Sequence, residues 1–227
     1  MTSRERVLRT LQHKEPDRVP VDIGGGLCSI SQFSYGPLLD VLGWDEKYTV
    51  GGLLTQVVWP SPRMLARLGS DFAHIFAGPP DIRLGKTIEG SIDDSFEAFE
   101  SGDGPRHTFM DEWGVVWKRA AYYYDMVDFP LKDASTIADL DNYHWPDPRD
   151  PGRVRGLAER AKEARERQVA VTIDPLAGGI IEMANSMRGH QNFFMDMASN
   201  QAFAEELLDR ITDYFEAFYE EALTAAG

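Results

Sequence analysis

The main pattern of this sequence is a short apolar run followed by a loop of glycine, proline and aspartate. Such runs occupy residues 18–23, 71–76 and 168–173, and a loop rich in those three residue types follows each run. A short apolar run bounded by turn residues is typical of a buried parallel strand. Stretches with helical spacing separate the runs, so the alternation predicts parallel strands joined by helices, as in an α/β fold.

Helical periodicity and recognisable end residues predict the connecting helices. A helix over 2–14 begins with capping-box spacing, and a helix over 61–69 begins with Ser-Pro and ends at glycine. Further helices are predicted over 37–41, 135–141, 150–167, 179–188, 191–198 and 201–225. The last of these carries a continuous apolar stripe, so it needs a neighbouring surface to cover it.

Residues 82–130 interrupt the alternation of strands and helices. Aromatic and β-branched residues are concentrated between 106 and 129, with short polar joints between them. This pattern predicts two or three antiparallel strands inserted at the strand-end face of the main sheet. The insertion either shapes a pocket or only covers the core, and both interpretations remain open.

Composition narrows the class of protein. The chain of 227 residues has a formal net charge of −14, which disfavours binding to nucleic acid. No apolar run is long enough to cross a bilayer, and the N-terminus has no secretory signal. The single cysteine, Cys28, cannot form an internal disulfide. These features predict a cytoplasmic protein.

Acids and glycines follow the predicted strands at the edge where α/β folds carry their chemistry. The candidate pocket residues are Asp22, Gly24, Gly25, Gly26, Asp81, Asp174 and Glu182. Glycines let a backbone approach a ligand closely, and carboxylates act as bases or accept hydrogen bonds from a substrate. The alternative for each aspartate is capping of the next helix, and for the glutamate a favourable helix dipole. No residue is assigned as catalytic.

Several common site motifs are missing. No histidine pair and no histidine–cysteine pair has the spacing of zinc ligands, so no metal site is predicted in this chain. The sequence also lacks a GxGxxG fingerprint, a phosphate-binding loop and a GxSxG elbow. His74 lies within the second apolar run, where it is interpreted as a core histidine with satisfied hydrogen bonds.

Segments spread over the whole chain share the pattern of one family. They are 3–8 and 13–22 at the opening, then 68–72, the Asp-Glu-Trp-Gly segment at 111–117, 139–141 with 145–148, and 178–189. With these segments the chain resembles uroporphyrinogen-decarboxylase-like proteins. The opening and the Asp-Glu-Trp-Gly segment resemble the branch that includes corrinoid-dependent methyltransferases.

The resemblance implies a (β/α)8 TIM barrel with its pocket at the carboxyl ends of the strands. A full barrel takes about 250 residues, so this chain is expected to be an incomplete barrel. Residues 1–227 would form the N-terminal part of a single domain, from a truncated or a split protein, with an antiparallel excursion at 82–130.

Two departures from the family pattern bear on the reaction. Decarboxylases of the family carry an arginine motif after the first strand, where this chain has glycines 24–26. Their catalytic aspartate falls near Gly78 here, and Asp81 lies three residues further on. Porphyrinogen decarboxylation would need another arginine, such as Arg83 or Arg188, to bind the substrate carboxylates.

The methyltransferase branch implies the favoured function. This is methyl transfer between a small methylated substrate, a corrinoid protein and a thiol. Family members bind zinc through a His-x-Cys pair and a later cysteine in the second half of the barrel, so zinc is expected only where that half is present. The alternatives are uroporphyrinogen decarboxylase, and a non-catalytic truncated barrel that associates with itself or with a partner chain.

Overall fold

The computed structural model describes residues 1–52, 54–81, 86–87 (backbone only), 108–120, 123–174 and 178–227. These residues form a mixed α/β structure with two compact units. The first unit contains Met1–Ala77, Arg155–Asp174 and Leu223–Gly227. The second unit contains the described residues of Gly78–Val154 and Pro175–Ala222.

Helices and strands alternate along much of the described chain. Helices α1 to α9 are Ser3–Leu11, Gln32–Leu42, Pro62–Leu68, Ile137–Asp141, Pro151–Val154, Leu157–Glu166, Ile180–Arg188, His190–Ser199 and Gln201–Ala226. Strands β1 to β8 are Thr49–Gly52, Val57–Trp59, Phe72–Ile75, Lys86–Thr87, Thr108–Met110, Val116–Ala120, Tyr123–Asp128 and Ala170–Ile173. In the described residues, no helix is both long and apolar enough to cross a bilayer.

The parallel pairing of β3 with β8 is the central feature of the first unit. Phe72 lies opposite Ala170, and Ile75 lies opposite Ile173, so the two strands end at the same level. The sequence prediction of parallel strands is confirmed for these two runs. Within the described residues this sheet has two strands and does not close into a barrel. A separate antiparallel hairpin of β1 and β2, which the sequence pattern did not predict, lies in the same unit.

The prediction of a strand over 18–23 is wrong. This segment is irregular, although it lies beside the start of β3. The backbone N–H of Asp71 donates to the Val21 carbonyl at 2.8 Å, and the Val21 N–H donates to the Asp71 carboxylate at 2.9 Å. Pro20 has no N–H to donate, so a regular ladder cannot continue through the segment.

The ends of several helices match the sequence prediction because their capping groups are present. Thr2 and Glu5 form a reciprocal capping box at α1, and the Ser61 side chain accepts from the first turn of α3. Gly43 and Gly69 end α2 and α3 in the left-handed conformation. Local side-chain chemistry therefore determines these ends.

Two helices differ from their predicted extents. Helix α2 begins after Ser31, well before the predicted start at Pro37, because the Ser31 hydroxyl caps it and the proline is accommodated inside. The single helix predicted over 150–167 is divided into α5 and α6. Gly156 separates them with φ of +73°, a conformation that an α-helix does not contain.

An antiparallel sheet in the order β4-β5-β6-β7 forms part of the second unit. The antiparallel character predicted for 82–130 is confirmed. The stretch 106–129 holds three described strands, β5 to β7, as predicted, and the short strand β4 precedes it. Residues 82–85, 88–107 and 121–122 lie outside the described part. Helix α9 has the predicted stripe, and its members are buried. They are Phe203, Leu207, Ile211, Phe215, Phe218 and Ala222.

A buried carboxylate joins the N-terminal segments of the first unit to β3. Asp71 is fully buried and accepts hydrogen bonds from Arg6 at 2.6 Å and from Arg18 at 2.7 and 2.9 Å. Although burial alone acts in the opposite direction, the Val21 N–H and the two arginines lower the pKa of Asp71. The carboxylate is therefore charged at neutral pH and depends on these partners.

We predict that Asp71→Asn destabilises the protein by about 3 to 5 kcal/mol, because it leaves arginine charges without their buried partner. Chemical denaturation at pH 7 measures the change. Asp40→Asn is the matched control, since Asp40 is exposed on α2 and its loss is expected to change stability by at most about 0.5 kcal/mol. Equal stability of the two variants would contradict the structural role of Asp71.

A partly buried aspartate, Asp111, organises the turn between β5 and β6. The Asp111 carboxylate accepts from the backbone N–H groups of Trp113 and Val115 at 2.9 Å each and from the Trp117 indole at 2.7 Å. Burial raises the pKa of Asp111 from 3.8 to about 6, although these hydrogen bonds act in the opposite direction. Ionisation of this group therefore opposes folding.

We predict that ionisation of Asp111 lowers the free energy of unfolding as the pH rises from about 4 to about 6. The contribution of a group whose pKa is raised on folding is complete below the unfolded pKa of 3.8 and is lost as pH passes through the folded value of about 6. Urea unfolding at several pH values in this window should show a steeper loss in the wild type than in Asp111→Asn. Identical pH slopes would show that Asp111 does not titrate as described.

Candidate functional site

His74 lies at the centre of a group of polar side chains in the first unit. It occupies the carboxyl-terminal half of β3, and its side chain is only 7% exposed. Nδ1 lies 2.5 Å from an oxygen of Asp174, and Nε2 lies 2.6 Å from an oxygen of Asp22. Both ring nitrogens are therefore bonded to carboxylates from two different segments of the chain.

The parallel register of β3 and β8 explains the bond between His74 and Asp174. Ile75 and Ile173 are paired, and the Asp174 N–H continues the ladder by donating to the Ile75 carbonyl at 3.0 Å. Asp174 therefore begins its loop at the level of the last residues of β3. A carboxylate at this point is within reach of a side chain on the neighbouring strand.

The glycine loop passes directly over the imidazole and its carboxylate. Gly24 has φ of +120°, which favours glycine, and the Gly24 and Cys28 backbones bond across the loop. The Gly26 N–H donates to the second oxygen of Asp174. A Cβ added at Gly25 would lie 2.5 Å from His74 and 2.8 Å from Asp174. Only glycine allows the loop this close an approach.

The loop also brings a thiol to the imidazole. Cys28 Sγ lies 3.6 Å from His74 Nε2. One ligand-type atom from each of Asp22, Cys28 and His74 lies within 4.8 Å of the other two. Asp22 is the most exposed of these three, with 42% of its side chain accessible.

The electrostatics of the site favour an imidazolium and a neutral thiol. Burial lowers the pKa of His74, but the hydrogen bonds that its ring donates to the Asp174 and Asp22 carboxylates outweigh this effect, so the net shift is upward. Burial raises the pKa of the Cys28 thiol, and the nearby carboxylates add to the shift. Because Nε2 is bonded to Asp22, this state differs from a cysteine nucleophile activated by histidine.

Five of the seven predicted pocket residues come together here: Asp22, Gly24, Gly25, Gly26 and Asp174. The capping alternative is wrong for both aspartates, because Ser31 caps α2 and Gly179 is the N-terminal cap residue of α7. The glycines do permit a close approach, as expected, although the group they approach is the His74–Asp174 pair.

The other two predicted pocket residues belong to the second unit. Asp81 is exposed, and its backbone N–H donates to Asp150 at 2.6 Å. Glu182 is exposed in the first turn of α7, a position that its helix-dipole alternative also explains. Their participation in a pocket with Asp22 and Asp174 stays a prediction.

Sequence reasoning missed that Cys28 lies beside His74 and that two carboxylates bond the imidazole. The prediction of a satisfied core histidine is confirmed, since the ring is buried and both nitrogens are bonded. Ligand spacing did not reveal the group because Cys28 and His74 are 46 residues apart. A useful signal would have been the position of His74 near the end of a strand whose parallel neighbour is followed by aspartate.

Arg188, considered above as a binder of substrate carboxylates, has a structural role. It is buried in the second unit, where Nε lies 2.6 Å from Asp196. Its other nitrogens donate to the Leu131 and Lys132 carbonyls at 2.7 and 2.6 Å and to Asp196 at 3.4 Å. Binding a substrate carboxylate would require breaking this buried pair. The other arginine considered, Arg83, lies outside the described residues.

Comparison with known proteins adds no assignment, because no family model, curated protein or solved structure matches the chain. The site therefore has to be interpreted from its own chemistry. It consists of a buried histidine held between two carboxylates, beside a thiol, at the carboxyl ends of two parallel strands.

We predict that Gly25→Ala disrupts the site, because its methyl group would collide with His74 and Asp174. The expected destabilisation is about 1 to 3 kcal/mol, measured by chemical denaturation. Gly36→Ala is a matched control, since Gly36 is inside α2 and its added Cβ would lie 3.3 Å from the Tyr48 hydroxyl. The control should change stability by no more than about 1 kcal/mol. Similar effects of both changes would contradict the close approach of the loop.

Proposed function

We propose that this chain is part of a uroporphyrinogen-decarboxylase-like enzyme that transfers a methyl group between a small methylated substrate, a corrinoid protein and a thiol. The observation that carries the proposal is the convergence of Asp22, Cys28, His74 and Asp174 at the ends of the parallel strands. α/β enzymes bind their substrates at this edge of the sheet. Reduced thiols are abundant in the cytoplasm, which is the proposed compartment.

The order of neighbouring segments supports a fold of the (β/α)8 type. The Asp71 N–H donates to Val21, and the Asp71 carbonyl accepts from Ala170 at 3.0 Å. Three segments that follow one another as apolar runs in the sequence are thus also neighbours in space. Successive strands of a (β/α)8 barrel are neighbours in the same way.

Charge and space favour methyl transfer over porphyrinogen decarboxylation. The carboxylates of Asp22 and Asp174 would repel the carboxylates of a porphyrinogen. Both nitrogens of His74 are already bonded to these two aspartates, so the imidazole is not available to bind a substrate carboxylate. Gly78 lies near the position expected for the catalytic aspartate of the decarboxylases. A Cβ there would lie 2.5 Å from the Gly152 carbonyl oxygen, so an aspartate does not fit without a backbone shift.

The residues of the site have complementary tasks in the proposed reaction. Methyl transfer requires donor and acceptor to be held in line and the developing charge to be stabilised. Asp22 is the exposed carboxylate, so it is the group that a substrate meets. His74 and Asp174 are buried, and their bonds hold the glycine loop in position and direct Nε2 of His74 toward Asp22.

The test uses methylcobalamin as methyl donor and 2-mercaptoethanol as acceptor. We expect protein-dependent loss of methylcobalamin absorbance and formation of the methylated thiol, detected by mass spectrometry. Asp22→Asn should lower the rate by about 10²-fold, because the exposed carboxylate that positions the substrate is lost. Asp40→Asn, an exposed change in the same unit, should leave the rate unchanged.

A parallel assay measures release of carbon dioxide from uroporphyrinogen. Decarboxylation without methyl transfer would overturn the proposal in favour of the decarboxylase alternative. Folded protein that catalyses neither reaction would also overturn it. In that case, self-association in light scattering would favour the non-catalytic alternative.

A further inference from the structure

The arrangement around His74 has the features of a metal-ligand set. Imidazole nitrogen, thiolate sulfur and carboxylate oxygen are the three ligand types that Zn²⁺ takes in proteins. Here one nitrogen, one sulfur and one oxygen are grouped, because the ligand-type atoms of Asp22, Cys28 and His74 all lie within 4.8 Å of one another. Asp22 and Cys28 lie in the irregular segment before α2, and His74 lies in β3, about 50 residues further along the chain.

Asp174 supplies the outer carboxylate that ligating histidines usually have. Its oxygen bonds Nδ1 of His74, which leaves Nε2 directed toward Asp22 and Cys28. A carboxylate on the far nitrogen fixes the tautomer and the ring orientation of a ligating histidine. The Gly26 N–H in turn fixes the second oxygen of Asp174, so the outer partner is itself held in place.

The distances can be compared with those of a tetrahedral zinc site. Bond lengths of about 2.05 Å to nitrogen, 2.1 Å to oxygen and 2.3 Å to sulfur place nitrogen about 3.6 Å from sulfur and about 3.4 Å from oxygen. The observed distance from Nε2 to Sγ is 3.6 Å, which matches. The distance from Nε2 to Asp22 is 2.6 Å, so this carboxylate has to move outward by about 0.8 Å. Asp22 is exposed and lies in an irregular segment, which makes that movement feasible.

We propose that Asp22, Cys28 and His74 bind a divalent transition metal ion, with Zn²⁺ favoured, and that Asp174 is the positioning residue behind His74. The mixed nitrogen, sulfur and oxygen set excludes Mg²⁺ and Ca²⁺ as preferred ions, because both require oxygen ligands. Three protein ligands leave a fourth position for water or substrate, as in catalytic zinc sites. Metal binding goes beyond the proposed methyl transfer, since it can be measured in protein that transfers no methyl group.

The test titrates metal-free, reduced protein with Co²⁺, a spectroscopic substitute for Zn²⁺. We expect a thiolate-to-cobalt charge-transfer band and the visible bands of a four-coordinate ion, both abolished by stoichiometric Zn²⁺. Cys28→Ser should remove the charge-transfer band. Asp174→Asn should keep the band and weaken Co²⁺ binding about 10- to 100-fold, the effect of losing an outer-sphere partner of a ligating histidine.

Matched variants separate this site from adventitious binding. His74→Gln should abolish the spectrum, whereas His190→Gln, at an exposed histidine in α8, should not change it. Asp22→Asn should weaken binding, whereas Asp40→Asn should not. Thermal unfolding of each variant verifies that it is folded, and Zn²⁺ should raise the midpoint of the wild type but not of Cys28→Ser.

Two results would overturn the metal proposal. One is the absence of a charge-transfer band in folded wild-type protein. The other is equal Co²⁺ affinity in the wild type, Cys28→Ser and Asp22→Asn. Either result leaves the methyl-transfer assay to be judged separately, and a normal cobalt spectrum without methyl transfer would overturn only the proposed function.

Discussion

The first unit depends on the neutralisation of Asp71, a carboxylate without contact to water. Removing a carboxylate from water is costly unless cations and N–H groups replace the lost hydration. Arg6 from α1, Arg18 and the Val21 N–H do so at distances between 2.6 and 2.9 Å. The requirement therefore fixes α1 and the irregular N-terminal segment against β3. Asp22 follows Val21 directly, so the same bonds that satisfy Asp71 help to place a site residue.

Polar contacts hold both ends of β3, those of Asp71 at its start and those of the candidate site at its end. Asp71 immediately precedes the strand, and His74 is its third residue. Asp174 makes two contacts at the far end, one with the imidazole and one with the Gly26 N–H. One buried carboxylate thus joins β3, the loop after β8 and the glycine loop. A change at Asp174 would disturb both the orientation of the histidine and the position of the thiol.

The sequence revealed those parts of the structure that depend on local chemistry. The apolar runs identified β3 and β8, and the capping residues identified the ends of α1 and α3. The strand over 18–23 was predicted wrongly because apolar content was weighted above the missing N–H of Pro20. The proximity of Cys28 to His74 was missed because it arises from contacts between distant segments. The spacing of ligand residues along the chain does not reveal such contacts.

The charge of the site is compatible with the proposed metal ion, because one set of residues would carry the same net charge with protons or with the ion. Two carboxylates, an imidazolium and a neutral thiol carry one net negative charge. With a divalent ion, Nε2 and the thiol each release a proton, and two carboxylates, a neutral imidazole, a thiolate and the ion again carry one net negative charge. The surrounding residues therefore meet the same net charge in both states. Of the two carboxylates, only the exposed one of Asp22 would have to move, because the hydrogen bond between Nδ1 of His74 and Asp174 would be kept in both states. Binding or loss of the proposed ion would therefore require no rearrangement of β3 and β8.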